Sequence, residues 1–380
     1  MRAQRAFLAI LVGGLVLTLP TISQAQVDSR RIEEVVKKNV LTQEDMEIID
    51  AFVSDAVGRL VRTTDFTEVA KTRAVIVSHQ IAQAQYAQRF SEAALREIGK
   101  GFDYATGEIT DPDRRFKVFT NLLILASELN DARLVDLGVR TIPHENSTVR
   151  YWAVRVAANP GVWDKLSQNQ AAAPLSLKII SACSQVVETS SPETLYLMAQ
   201  FAGRYDTAPA QDLLIRVAEV RIKRYAEWAV KYELVDTGIL KLLSAKIVSG
   251  GAANRQLAVP FAQLYSYAIQ RYLRGVKDNS LKELSSSHLA SVLVETEQQC
   301  ISKLLSGPQT AITRAVEAGD LNALQAEHDR LLGSANQAGA LPSKFNFTYG
   351  SAQEKRSAPL ALPEPPQRQA VAETKPPAKP

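Results

Sequence analysis

An all-α fold is predicted by three features of this 380-residue chain. Apolar residues recur at three- and four-residue steps almost everywhere from Asp28 to about Ser334. No stretch of that span alternates apolar and polar residues as a half-buried strand would. Glycine and proline punctuate the pattern at Asn159-Pro160-Gly161, Ser190-Ser191-Pro192, Thr207-Ala208-Pro209, Gly250-Gly251 and Gly307-Pro308, where steric constraint ends helices. The expectation is an irregular series of stacked helices closed by a proline-rich tail.

The chain opens with Arg2 and Arg5, an uncharged run from Ala6 to Leu19, Pro20, and the small-x-small triplet Ser23-Gln24-Ala25. That order predicts a secretory signal peptide over 1–25. The run is short for a membrane span, which needs roughly twenty apolar residues. Export is therefore expected, to the periplasm or outside the cell, with no stable membrane insertion after cleavage. Removing the two leader arginines from 44 basic residues leaves 42 against 40 acidic ones. So even a balance argues against a nucleic-acid partner, which demands a basic excess.

Residues 26–101 read as an N-terminal unit of long helices. Thr42 precedes Gln43-Glu44-Asp45, a cap followed by first-turn acids, and the stripe Met46, Ile49, Phe52, Val53, Val57 and Leu60 follows. A second long helix is expected from about Phe66 to Ile98, stopped by Gly99 to Gly101. In FDYATGEITDPDRR (102–115), Asp103, Glu108, Asp111 and Asp113 lack the spacing of a calcium loop, and capping accounts for them better. The body, 102–335, is expected to hold shorter helices near 116–129, 132–141, 147–158, 174–188, 193–203, 209–234, 236–248, 255–273, 280–305 and 310–332. Residues 336–380 are expected to be a disordered tail. Seven of the chain's seventeen prolines fall within 351–380, which has no aromatic residue to build a core.

Within the body, one unit stands out. Ala132, Leu134, Val135, Leu137 and Val139 make a first helix, and Ile142-Pro143-His144-Glu145 makes a turn. Asn146 or Ser147 can cap the second helix, which carries Val149, Trp152, Ala153, Val156 and Ala157 on one face. The segment STVRYWAVRVAAN resembles the second helix of a HEAT repeat through Val149, Arg150, Ala153, Val156 and Ala157. The resemblance covers residues 130–160 and departs from the family where Glu145 or Asn146 replaces the usual turn Asp and where Trp152 is bulky. It implies a HEAT- or armadillo-like solenoid, with the Val and Ala positions packed between paired helices and Arg150 bonding within or between repeats. Other helices follow a looser spacing of about forty residues. Such units bury their apolar faces only by stacking on neighbours, which leaves an extended surface for a protein or polymer.

Chemistry-bearing patterns are sparse. GxSxG, HExxH, a Walker loop, GxGxxG and CxxC are all missing. His79, His144, His288 and His328 are far apart, and Glu327-His328-Asp329 reads as a solvated helix surface. Cys183 and Cys300 are expected to be separate buried thiols, with a long-loop disulfide as the alternative. No cofactor or metal is implied. The stretch RVAEVRIKRYAEWAVKY (216–232) offers the best candidate binding residues: Tyr225, Trp228 and Tyr232 at helical spacing beside Arg221 and Arg224. Rings flanked by cations can stack on sugars or aromatic ligands, although the same rings could fill a core. Tyr265, Tyr267 and Tyr272 pose the same choice. The expected function is a non-catalytic, exported scaffold that binds a protein or an envelope polymer. Two alternatives stand beside it: an all-helical polysaccharide lyase or hydrolase using Tyr225 or Tyr265, and a structural envelope component tethered by its tail.

Overall fold

The computed structural model describes residues 30–166, 172–350 and 353–365, with only the backbone of 251–253. The expected signal peptide and the last fifteen residues of the expected tail lie outside these ranges. The described residues are mostly helical. They form α1 (Arg30–Val35), α2 (Gln43–Arg62), α3 (Phe66–Ser78), α4 (Ala84–Gly107), α5 (Pro112–Leu129), α6 (Val135–Thr141) and α7 (Ser147–Ala157). There follow α8 (Pro160–Leu166), α9 (Ala172–Val186), α10 (Pro192–Ala202), α11 (Ala208–Ala226), α12 (Leu234–Gly250) and α13 (Ala258–Lys277). Last come α14 (Glu283–Thr296), a π turn at Glu297–Ile301 running into α15 (Ser302–Leu304), α16 (Ala311–Ala318), α17 (Leu321–Leu332) and α18 (Ala340–Phe345).

Capping sets many of the starts. Thr42 and Asp45 form a reciprocal capping box on α2. Asp111 accepts from the Asp113 N–H at the head of α5, with Pro112 in the first turn. Asn146 caps α7 by accepting from the N–H groups of Thr148 and Val149.

Where sequence expectation and structure part, local contacts explain why. The long helix expected from Phe66 to Ile98 is two helices. Gln83 caps α4 through the Tyr86 N–H at 2.7 Å, and its amide donates to the carbonyls of Lys38 and Asn39. No glycine or proline marks that break. Conversely, α4 runs straight through Gly99 and Gly101 to Gly107, across the boundary expected at 101–102.

Two rows of helices share one continuous apolar core. In the first row α2, α4, α5, α7, α10, α12 and α14 each pack on the next. In the second, α6, α9, α11 and α13 do the same, and α6 with α7, α10 with α11 and α12 with α13 join the rows. Polar links between neighbouring elements include spans of 32 residues, as in Ser127–Asn159, and 54, as in Lys241–Glu295, and five of them fall at 39 or 40. Asp50–Arg89 and Arg150–Thr189 are 39 residues apart, while Ser91–Asp131, Asp164–Arg204 and Asp206–Lys246 are 40 apart. Arg150 is buried, donating to the carbonyls of His144 and Thr189. Val149, Ala153, Val156 and Ala157 are buried as well.

The tail expected to be disordered from residue 336 is ordered over much of its length. β1 (Gly333–Ser334) pairs with β2 (Gln337–Ala338), and β3 (Tyr349–Gly350) with β4 (Lys355–Arg356), both antiparallel. Residues 357–365 then run extended along α13, with Pro359 and Leu362 buried. Composition alone missed this because those two apolar residues find a helical face distant in sequence.

Candidate functional site

The cation-flanked aromatic stripe of 216–232 is not one helical face. α11 ends at Ala226, and both Trp228 and Tyr232 take left-handed backbone conformations, with φ of 58° and 55°. Such angles are uncommon for large residues, so nothing in the spacing signalled the turn. Arg221 and Tyr225 point inward and are fully buried. Asp236, at the start of α12, accepts from Arg221 Nε at 2.6 Å, Arg221 Nη2 at 2.9 Å and Tyr225 Oη at 2.8 Å. Burial, and then the Asp236 carboxylate, push the Tyr225 hydroxyl far above its usual range. Burial works against the Arg221 charge, but Asp236 more than offsets it and the guanidinium is held more basic than usual. These three side chains lock the α11–α12 corner and are closed to any external ligand. Arg224 is half-buried and donates to the Ser190 carbonyl at 2.6 Å. Trp228 is half-buried, and Tyr232 is exposed.

The tyrosines of α13 divide similarly. Tyr265 is fully buried and donates to the Leu293 carbonyl at 3.0 Å, so it has no route to act as acid or base on a substrate. Tyr267 and Tyr272 are nearly buried.

An unforeseen chain of polar groups links α13 to α17. His328 Nε2 lies 2.8 Å from Ser266 Oγ, and His328 Nδ1 lies 2.8 Å from Asp329 Oδ1. The order is that of a hydrolase triad. Its setting is not. Ser266 is 0 % exposed and sits mid-helix, where its own and the next N–H already serve the helix ladder rather than an oxyanion. Burial also holds the imidazole below its usual basicity. His328 and Glu327 are buried rather than solvated, which corrects the expectation from sequence, because α17 turns this face onto α13. No periodicity could have paired residues 62 positions apart.

An open groove lies between α7 and α10. It has a volume of about 620 Å³ and is lined by Glu128, Asn130, Trp152, Arg155, Gln200 and Arg204, among others. The Arg155 guanidinium rides 5.5 Å from the Trp152 ring centroid. At the floor, the Asn130 amide packs so close to Gly161 that a side chain there would meet it at 2.4 Å. Asn130 Oδ1 is buried and has no hydrogen-bond partner within the protein. Arg204 pairs with Asp164 at the rim, at 2.8 Å. The groove thus offers one indole ring with a cation over it, mixed charges and amides. In the sequence Trp152 falls on the apolar stripe of α7 and Arg155 lies off it, so neither stands out as a binding residue.

Among the described residues no group of three or more His, Cys, Asp or Glu side chains converges as a metal site, and no helix is long and apolar enough to cross a membrane. Cys183 and Cys300 are both buried and unpaired. Comparison with known proteins yields no matching family model, no similar curated protein and no similar solved structure.

Proposed function

We propose that the chain is an exported, non-catalytic helical-repeat scaffold of HEAT- or armadillo-like build, which holds a protein or an envelope polymer in the α7–α10 groove. The observation that carries this reading is the packing of successive helices in two joined rows, along which five polar links span 39 or 40 residues. A step of that size is one supersecondary unit, and stacked units present continuous grooves. The groove itself supports the reading through Trp152 stacked under Arg155, beside Gln200 and Arg204. Stacking with cation–π support suits a sugar or peptide chain.

The rival lyase or hydrolase reading loses its two named tyrosines to burial. The Ser266–His328–Asp329 chain lacks both access and an oxyanion pocket, and serves as a polar tie between α13 and α17. The experiment compares retention of envelope-extract components by immobilised wild-type chain and by Trp152→Ala with Arg155→Glu. A component held by the first and released by the second supports the groove. Equal retention by both, or turnover of an added glycan by the wild type, counts against it.

A further inference from the structure

Residues 357–365 lie across α13 in a manner that resembles a bound ligand more than an internal strand. The receiving side chains are Gln263, Tyr267, Gln270 and Arg274, spaced four, three and four residues apart on one face of α13. Gln263 grips Leu360 from both sides: its Oε1 accepts the Leu360 N–H at 2.8 Å and its Nε2 donates to the Leu360 carbonyl at 3.2 Å. Gln270 donates to the same carbonyl at 3.1 Å and accepts the Leu362 N–H at 2.6 Å. Tyr267 Oη donates to the Ala361 carbonyl at 3.4 Å. The Pro363 carbonyl receives Trp228 Nε1 at 3.0 Å and Arg274 Nη1 at 2.9 Å. Among the described residues, one polar contact reaches a side chain of this segment beyond Ser357, the Arg274–Glu364 ion pair at 3.0 Å.

Two side chains plug into the receiving surface, Pro359 and Leu362, three positions apart. Three residues is the repeat of a polyproline II helix. Donors from Trp and Tyr to main-chain carbonyls, with apolar anchors three residues apart, are features that aromatic grooves use to read proline-containing segments. Trp228 is built for the task. Its strained left-handed backbone projects the ring, and the guanidinium groups of Arg271 and Arg274 lie 4.0 and 5.6 Å from its centroid. Two cations therefore flank the ring: Arg274 is paired with Glu364 of the resident segment, and Arg271 feels the buried Glu233 of the protein body.

We infer that this face of α13, with Trp228, is a binding site for extended segments of a partner protein that read Pro-x-x-Leu-Pro followed by acidic residues, and that residues 359–364 occupy it in cis as a built-in competitor. Recognition runs mainly through the ligand's main chain, so Pro359 and Leu362 positions and the acid supply the selectivity. The site is separate from the α7–α10 groove, and neither test decides the other.

The probe is a dye-labelled synthetic peptide of residues 357–365, titrated by fluorescence anisotropy into the full chain. Leu362→Asp in the protein drives a charge into the apolar anchor pocket and unseats the resident segment. The expected result is at least tenfold tighter peptide binding to Leu362→Asp than to wild type. Adding Trp228→Ala, or Gln263→Ala with Gln270→Ala, should then weaken it tenfold or more, with helical circular dichroism unchanged. A peptide carrying Pro365→Glu should bind more tightly than the native one. Folded Leu362→Asp protein that binds the peptide no better than wild type overturns the inference. So does a wild-type dimer that Leu362→Asp converts to monomer, since the occupant would then be a second copy of this chain.

Discussion

Removing the Asp236 carboxylate strikes the most strongly interlocked polar corner of the fold. In wild type, one carboxylate receives two bonds from Arg221 and one from Tyr225, all between fully buried groups. Asp236→Ala leaves a guanidinium in the interior without its counter-ion. Breaking a buried pair from one side costs about 3–5 kcal/mol, because the remaining charge keeps its desolvation penalty. The assay is urea denaturation followed at 222 nm. With a denaturant slope of about 3 kcal/mol per molar, that cost lowers the midpoint by at least about 1 M. The control replaces the whole constellation, Arg221→Met with Asp236→Leu and Tyr225→Phe, and should fall within about 2 kcal/mol of wild type since the Arg221–Asp236 pair is removed from both sides. A shift in the Asp236→Ala midpoint below about 0.3 M, or a triple variant weaker than the single one, would refute the reasoning.

Four further outcomes follow from the fold. Asp45 is held down to about 2 by its bond to Lys38 and by the Thr42 N–H, so its folded pKa lies below the unfolded one. That stabilisation is complete above the unfolded carboxylate range near 4 and is lost as pH falls through about 2; carboxyl NMR of wild type against Lys38→Ala should show the variant titrating at higher pH. Glu297 takes the place of a missing side-chain cap on α16, accepting from the N–H groups of Ile312 and Thr313 at 2.7 Å each. Glu297→Ala should cost about 2–3 kcal/mol and speed amide exchange at the start of α16 first, as expected for lost charge-assisted bonds. Gly138→Ala should destabilise the chain by about 1–3 kcal/mol in the same urea assay, because a methyl there would stand 2.8 Å from α7 backbone atoms that cannot swing away. Finally, fluorophosphonate probes should leave Ser266 unlabelled, and Ellman's reagent should leave Cys183 and Cys300 untouched until denaturant is added. Burial raises those thiols to about 12 and about 11, which keeps the reactive thiolate scarce.

The helical class was legible because periodicity and capping are local. Asp111 and Asn146 each cap the helix that their position in sequence implies. Helix ends without glycine or proline were not legible. The break at His79–Gln83 depends on Gln83 reaching Lys38 and Asn39, and the end of α11 depends on Trp228 adopting a left-handed backbone. Contacts at long separation were invisible too. Arg221 finds Asp236 only because α11 and α12 fold together, Ser266 finds His328 across 62 residues, and Gln263 finds Leu360 across 97. A proline-rich composition predicted an unstructured end, yet two buried anchors fix that segment once α13 is in place.

The groove between α7 and α10 bears the weight of the functional reading, and a photo-crosslinking amino acid placed at Gln200, which is exposed on its wall, tests it in cells. The account predicts one discrete high-mass adduct on irradiation, abolished when Arg155→Glu is added. Irradiation that yields no adduct, or an adduct indifferent to Arg155→Glu, would contradict it.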